Sequence, residues 1–148
     1  GENHIIDDQL NQWLSQLRSK VGATGKITVV ADACHSGGGS RGDEDESEYV
    51  VRGTSDAFVI PGNTKPFSGE EGTIDWIFIS ACKSYQCNYE YKGTGSLTYA
   101  LGQQKANLSS TPAQQIQRSI RSTIANIIPF TQTPVLEASV EGTQQSLF

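Results

Sequence analysis

The residues best suited to chemistry stand together at Asp32-Ala33-Cys34-His35-Ser36-Gly37. Cys34 is the candidate nucleophile, because a thiolate attacks carbonyl carbon. That attack needs a base within hydrogen-bond reach of the sulfur. His35 is the next residue, and neighbouring side chains point apart on extended chain, so it is poorly placed for the task. Its simpler role is local hydrogen bonding that shapes the turn. His4 precedes the first helix and has no motif around it. The chain therefore carries a candidate nucleophile without an evident base. The bland alternatives are a buried structural thiol for Cys34 and a loop-capping carboxylate at a strand end for Asp32.

Two other patterns compete for attention. Gly37-Gly38-Gly39-Ser40-Arg41-Gly42 fits the Gly-x-Gly-x-x-Gly of dinucleotide sites. That fingerprint needs a helix directly after it, to aim its N-terminus at a pyrophosphate. Asp43-Glu44-Asp45-Glu46 follows instead, without apolar period and with charge that repels phosphate, which excludes the reading. Cys82 and Cys87 are spaced too widely for a Cys-x-x-Cys redox or zinc pair. Both read as packing residues, with Cys82, Ser80 and Ser84 close enough to a strand end to border a cleft.

The elements that must hold Cys34 in place follow from periodicity. Leu10, Trp13, Leu14 and Leu17 share one face of a helix that Asp7 or Asp8 can cap and Gly22 closes. Lys26 to Asp32 is β-rich and nearly continuous in apolar residues, as for a strand buried on both faces. Cys34 follows at its carboxyl end, where open parallel sheets bind ligands. Residues 38–73 hold no sustained period and read as a long mobile loop, with Val50-Val51 and Ala57–Ile60 as short local strands or packing. Asp75 to Cys82 is a second buried strand. A short helix carries Leu97, Ala100 and Leu101. Thr111-Pro112-Ala113-Gln114 reads as a capped helix start, with Thr111 capping and Gln114 completing a capping box. Ala113, Ile116, Ile120, Ile124 and Ile127 form that helix's stripe, and Pro129 ends it. Thr133 to Glu137 is a last strand, placed at an edge by Pro134. The order implies an α/β fold with a mostly parallel sheet. A buried strand such as Ile27–Val30 wants neighbours on both sides, so this chain supplies only part of a larger sheet.

Composition narrows the partners. The 148 residues allow one domain, and the net charge is −5. An acidic surface argues against nucleic acid or an anionic membrane as the main partner. No run approaches the ~18 apolar residues of a membrane span, and no leader peptide is visible. Three Cys are too few for a disulfide scaffold. The start at Gly1 and the lack of Met read as a processed or truncated product.

Asp32-Ala33-Cys34-His35-Ser36-Gly37 resembles the active-site motif of the metacaspases and bacterial caspase-like peptidases, Asp-(Ser/Ala)-Cys-His-Ser-Gly after a hydrophobic strand. Ile6-Asp7-Asp8-Gln9-Leu10 resembles the family's Asp-Asp-x-Leu helix start. Ile79-Ser80-Ala81-Cys82 is similar to its next strand. Glu90 and Gly95-Ser96-Leu97-Thr98-Tyr99-Ala100-Leu101 are similar to its Glu…Gly-x-(Phe/Leu)-Thr-Tyr-x-Leu block, and Gln132–Glu137 to its closing strand. The resemblance spans nearly the whole chain outside the long loop.

It implies a caspase-like three-layer sandwich, with residues 1–148 as the Cys-bearing portion of a single catalytic domain. It implies a thiol protease in which Cys34 is the nucleophile and a His-Gly pair supplies the base. No His-Gly occurs here, so that pair is expected upstream of Gly1, on the same precursor or a separate chain. The Cys34 amide would form half of the oxyanion hole and the Gly after the catalytic His the other half. Asp32 would line the pocket for the residue before the cut, where a carboxylate attracts Arg or Lys and repels acidic side chains. Cys82 and Ser80 would border the cleft. Arg41, Arg52 and Lys65 make self-processing of a zymogen an expectation of the same specificity. No organic cofactor is required. Calcium stays open, since Asp7 and Asp8 match part of the family's activating cluster while Arg41 stands where another Asp is expected and Asp43 or Asp45 would have to replace it. Two non-peptidase readings remain beside this one. One is a catalytically inactive caspase-like scaffold that binds a partner through the long loop. The other is a flavodoxin-like nucleotide binder.

Overall fold

The computed structural model describes residues 7–33, 49–52, 76–83, 86–138 and 140–148. Helix α1 spans Asp7–Val21, strand β1 Thr28–Ala31 and strand β2 Ile77–Ser80. Strands β3 (Glu90–Tyr91) and β4 (Thr94–Gly95) form a hairpin that runs directly into helix α2, Ser96–Gln103. A 3-10 turn at Lys105–Asn107 leads to helix α3, Ala113–Ile127. Strand β5, Val135–Glu137, and a short helix α4, Val140–Gln144, close the chain. The fold is α/β. No helix among the described residues is long and apolar enough to cross a membrane.

The main sheet has the order β1-β2-β5. Strands β1 and β2 are parallel, with Val29 opposite Phe78 and Ala31 opposite Ser80. Strand β5 runs antiparallel to β2, with Leu136 opposite Ile79. Among the described residues the sheet is thus mixed, where a mostly parallel one was expected. Among the described residues β5 lies at an edge of the sheet, the position that Pro134 indicated.

The core lies on one face of β2. Ile77, Ile79 and Ala81 alternate onto that face, as the period of two in a strand requires. They pack with Leu97 and Ala100 of α2, Ala113, Ile116, Ile120 and Ile124 of α3, and with Ile128 and Leu147. Strand β2 is buried at every position. Strand β1 departs from the expectation of burial on both faces, since Val30 is 39% exposed. The physical reason is that, among the described residues, β1 pairs on one side only. The apolar face expected of α1 is likewise covered in part. Leu14 is buried, but Trp13 and Leu17 are 49% and 42% exposed.

Helix α3 begins without the expected capping box. Pro112 is its N-cap, and no side chain caps it. The C-terminal tail takes over that task, because the Ala113 N–H donates to the Gln145 carbonyl at 2.7 Å. Ser146 bridges Pro112, and the Leu147 N–H donates to Leu108. The far end behaves as Pro129 requires. Ile128 is already extended at φ −110° and ψ 121°, the conformation favoured before proline.

The β3–β4 hairpin turns through Lys92 at φ 52° and Gly93 at φ 73°. Two successive positive φ values are those of a type I′ turn, whose twist suits paired strands. The segment 49–52 lies along this hairpin. Val51 bridges Tyr89 in antiparallel fashion, the Arg52 N–H donates to the Asn88 carbonyl, and the Glu90 N–H donates to Val50. Phe130 stacks on Tyr89 with ring centroids 4.8 Å apart and meets Tyr49 edge-on. The short strand expected at Val50-Val51 is therefore a local bridge to the hairpin.

Candidate functional site

The site is built where β1 and β2 end. Asp32 follows β1 directly and is partly buried. Its carboxylate is held by groups far away in sequence. Oδ1 accepts a hydrogen bond from Asn88 Nδ2 at 2.7 Å. Oδ2 accepts from the Thr98 backbone N–H at 2.9 Å and from the Thr98 hydroxyl at 2.5 Å.

This arrangement caps a helix. Gly95 is the N-cap of α2 and has no side chain to offer its free N–H groups, and the first turn contains no acidic residue. Asp32 supplies the missing acceptor from the neighbouring strand. A carboxylate is favourable there on two counts, as partner for an orphan N–H and as a negative charge at the positive end of the helix dipole. The close approach depends on Gly95. A Cβ at that position would lie 2.0 Å from Asp32 Oδ2.

Behind Asp32 lies a buried polar chain. Asn88 and Ser96 are fully buried, and Gln132 nearly so. Asn88 Oδ1 accepts from the Ser96 hydroxyl at 3.2 Å and from Gln132 Nε2 at 3.0 Å. Gln132 Nε2 also reaches the Ser96 oxygen and the carbonyl of Ala81, at the end of β2. Gln132 Oε1 accepts from the Tyr89 N–H. These bonds fix which end of the Asn88 amide faces Asp32, because its oxygen is already occupied and its NH2 group is left to donate. Among the described residues no buried side-chain N or O lacks a partner. The ends of both central strands are thus tied into one network, as buried polar groups demand.

Ser80 and Cys82 lie next to this network and are buried. The Ser80 hydroxyl donates to the Cys82 carbonyl at 3.4 Å. The Cys82 thiol meets the Gln86 carbonyl at 3.3 Å. Gln86 in turn accepts from the Lys83 and Thr133 N–H groups and donates to the Thr133 hydroxyl, which closes the loop after β2 onto the segment before β5. Cys87 is a free, half-buried thiol.

Sequence reasoning singled out Asp32, Cys82 and Ser80, and the structure gathers these at the carboxyl ends of adjacent parallel strands. Cys34, His35, His4, Ser84, Arg41, Lys65, the acidic run and the glycine-rich stretch at 37–42 lie outside the described residues. So do Ala57–Ile60, most of the 38–73 loop and the side chains of Asp7 and Asp8. Among the described residues no group of three or more His, Cys, Asp or Glu side chains is arranged to hold a metal. Sequence reasoning missed the roles of Asn88, Ser96, Thr98 and Gln132. Asn88 and Gln132 carried one faint signal, as polar residues beside stretches that must be buried. The chain matches no protein-family model and no curated protein.

Proposed function

We propose that this chain is the thiol-bearing part of a caspase-like cysteine endopeptidase that cleaves after Arg or Lys. The observation that carries the reading is the anchoring of Asp32. The first residue of the Asp-Ala-Cys-His-Ser-Gly motif stands at the end of a strand, and a buried network fixes its carboxylate from behind. In the sequence Cys34 follows two positions after this anchored residue. A nucleophile needs such a scaffold, because misplacement by about 1 Å costs on the order of a hundredfold in rate.

In this reading the Cys34 thiolate attacks the carbonyl carbon of the scissile peptide. An imidazole from the His-bearing piece takes the thiol proton and passes it to the leaving amine. The Cys34 N–H and a second N–H from that piece stabilise the tetrahedral oxyanion. Water then hydrolyses the thioester. Asp32 attracts the basic side chain before the cut. The His-bearing piece stays bound, because its separation would expose strand edges. That β1 pairs on one side only among the described residues, and that Val30 is exposed, supports a sheet that continues beyond β1 and a caspase-like layered fold.

The test is a set of peptides differing only in the residue before the cut, given to the protein expressed from its complete gene. Calcium is added in one arm and chelated in another. Turnover after Arg or Lys, lost in Cys34→Ala, is the expected result. Equal turnover after Asp removes the pocket role of Asp32. No turnover on any peptide, with a Cys34 inert to a basic peptidyl electrophile, leaves the inactive scaffold as the better reading.

A further inference from the structure

We infer, resting on the peptidase reading above, that Thr98 is a specificity-positioning residue, and that it limits Asp32 to a single further hydrogen bond. A carboxylate offers about four lone-pair sites, two on each oxygen. Both sites of Asp32 Oδ2 are taken, one by the Thr98 N–H at 2.9 Å and one by the Thr98 hydroxyl at 2.5 Å. One site of Oδ1 is taken by Asn88 Nδ2 at 2.7 Å. Among the described residues' donors, a single site on Oδ1 remains unfilled.

The consequence separates the two basic side chains. An arginine guanidinium gains most from a carboxylate when its fork meets both oxygens in parallel. That geometry needs a free site on each oxygen, and Oδ2 has none. A lysine ammonium is a compact point charge and needs only one acceptor. Asp32 therefore serves Arg and Lys nearly alike, through charge and one hydrogen bond. The Thr98 N–H belongs to the first turn of α2 and cannot leave without unwinding it. The Thr98 hydroxyl is the removable part of the block. Asn88 is held from behind by Ser96 and Gln132, so its donor stays on Oδ1.

Thr98→Ala deletes the hydroxyl and leaves no methyl in its place, while keeping the backbone donor. It frees one site on Oδ2 and admits the fork. Thr98 is exposed, so both this variant and Thr98→Ser fold. The experiment measures kcat/KM for paired peptides with Arg or Lys before the cut, in wild type, Thr98→Ala and Thr98→Ser. One added charge-assisted hydrogen bond predicts that the Arg-to-Lys ratio rises about tenfold in Thr98→Ala. The gain falls on KM for the Arg peptide, with kcat unchanged. Thr98→Ser keeps the wild-type ratio, because its hydroxyl still occupies Oδ2. A ratio unchanged in Thr98→Ala, or a Ser variant that behaves like Ala, overturns the inference and leaves the peptidase reading standing. A wild-type protein that cleaves neither peptide overturns both.

Discussion

Replacing Gly95 by Ala tests whether Asp32 and the start of α2 are locked together. The φ of Gly95 is −56°, which Ala adopts freely, so the backbone itself sets no penalty. The penalty comes from contact. The new Cβ would lie 2.0 Å from Asp32 Oδ2, 2.5 Å from its Cγ and 2.6 Å from Oδ1. No flexible end can swing aside, because the carboxylate is pinned by Asn88 and Thr98. Either α2 shifts or Asp32 gives up its bonds. Overpacking costs about 1–3 kcal/mol, and a lost hydrogen bond to a charged group costs about 1.5–3 kcal/mol. These are alternative routes of relief rather than a sum, and the cheaper one is taken, so the expected loss is about 1–3 kcal/mol. Urea unfolding of wild type, Gly95→Ala, Asp32→Ala and the double variant measures the coupling. With Asp32 shortened to Ala the clash vanishes, and the cost of Gly95→Ala should fall below about 1 kcal/mol. Gly102→Ala in the same helix is the control. Its Cβ meets nothing within 4 Å, so the change should stabilise by about 0.5–1 kcal/mol. An equal cost for Gly95→Ala in both backgrounds would mean that Asp32 and the start of α2 are not locked together.

Two further outcomes are expected. Gln132→Ala removes the donor shared by Ala81, Asn88 and Ser96 and should destabilise by about 2–3 kcal/mol in the same unfolding assay; a neutral result would mean that water replaces it freely. The Arg52–Glu90 pair, 3.6 Å apart and partly exposed, should show a coupling of about 0.5 kcal/mol in a double-mutant cycle, shrinking as salt is raised.

The fold was legible wherever one periodicity ran unbroken. The stripe Ala113, Ile116, Ile120, Ile124 and Ile127 placed α3, and its first four members are buried as expected, with Ile127 partly buried. The apolar runs placed β1 and β2 within a residue or two. The errors share a cause, which is that partners distant in sequence decide local fate. Thr111 and Gln114 have the types for a capping box, but the C-terminal tail reaches Ala113 first. Trp13 and Leu17 have the spacing of a buried face, yet burial needs something opposite, and the described residues do not supply it. The hairpin at Lys92-Gly93 escaped notice because Lys rarely adopts positive φ, and only the pairing of Glu90 with Gly95 demands it there. Of the site, Asp32, Ser80 and Cys82 were visible as strand-end residues. Asn88, Thr98 and Gln132 were not, because a hydrogen bond across 66 or 44 positions leaves no local pattern.

The central claim is that Cys34 is a reactive nucleophile in a site that accepts a basic residue. Its most direct test is labelling of the protein, expressed from its complete gene, with a thiol-reactive peptidyl electrophile ending in Arg, followed by mass mapping of the three cysteines. One adduct is expected, on Cys34, formed faster than with an Asp-ending electrophile and suppressed by competing basic peptide. Labelling confined to Cys87, or a Cys34 that reacts equally with both electrophiles, would contradict it.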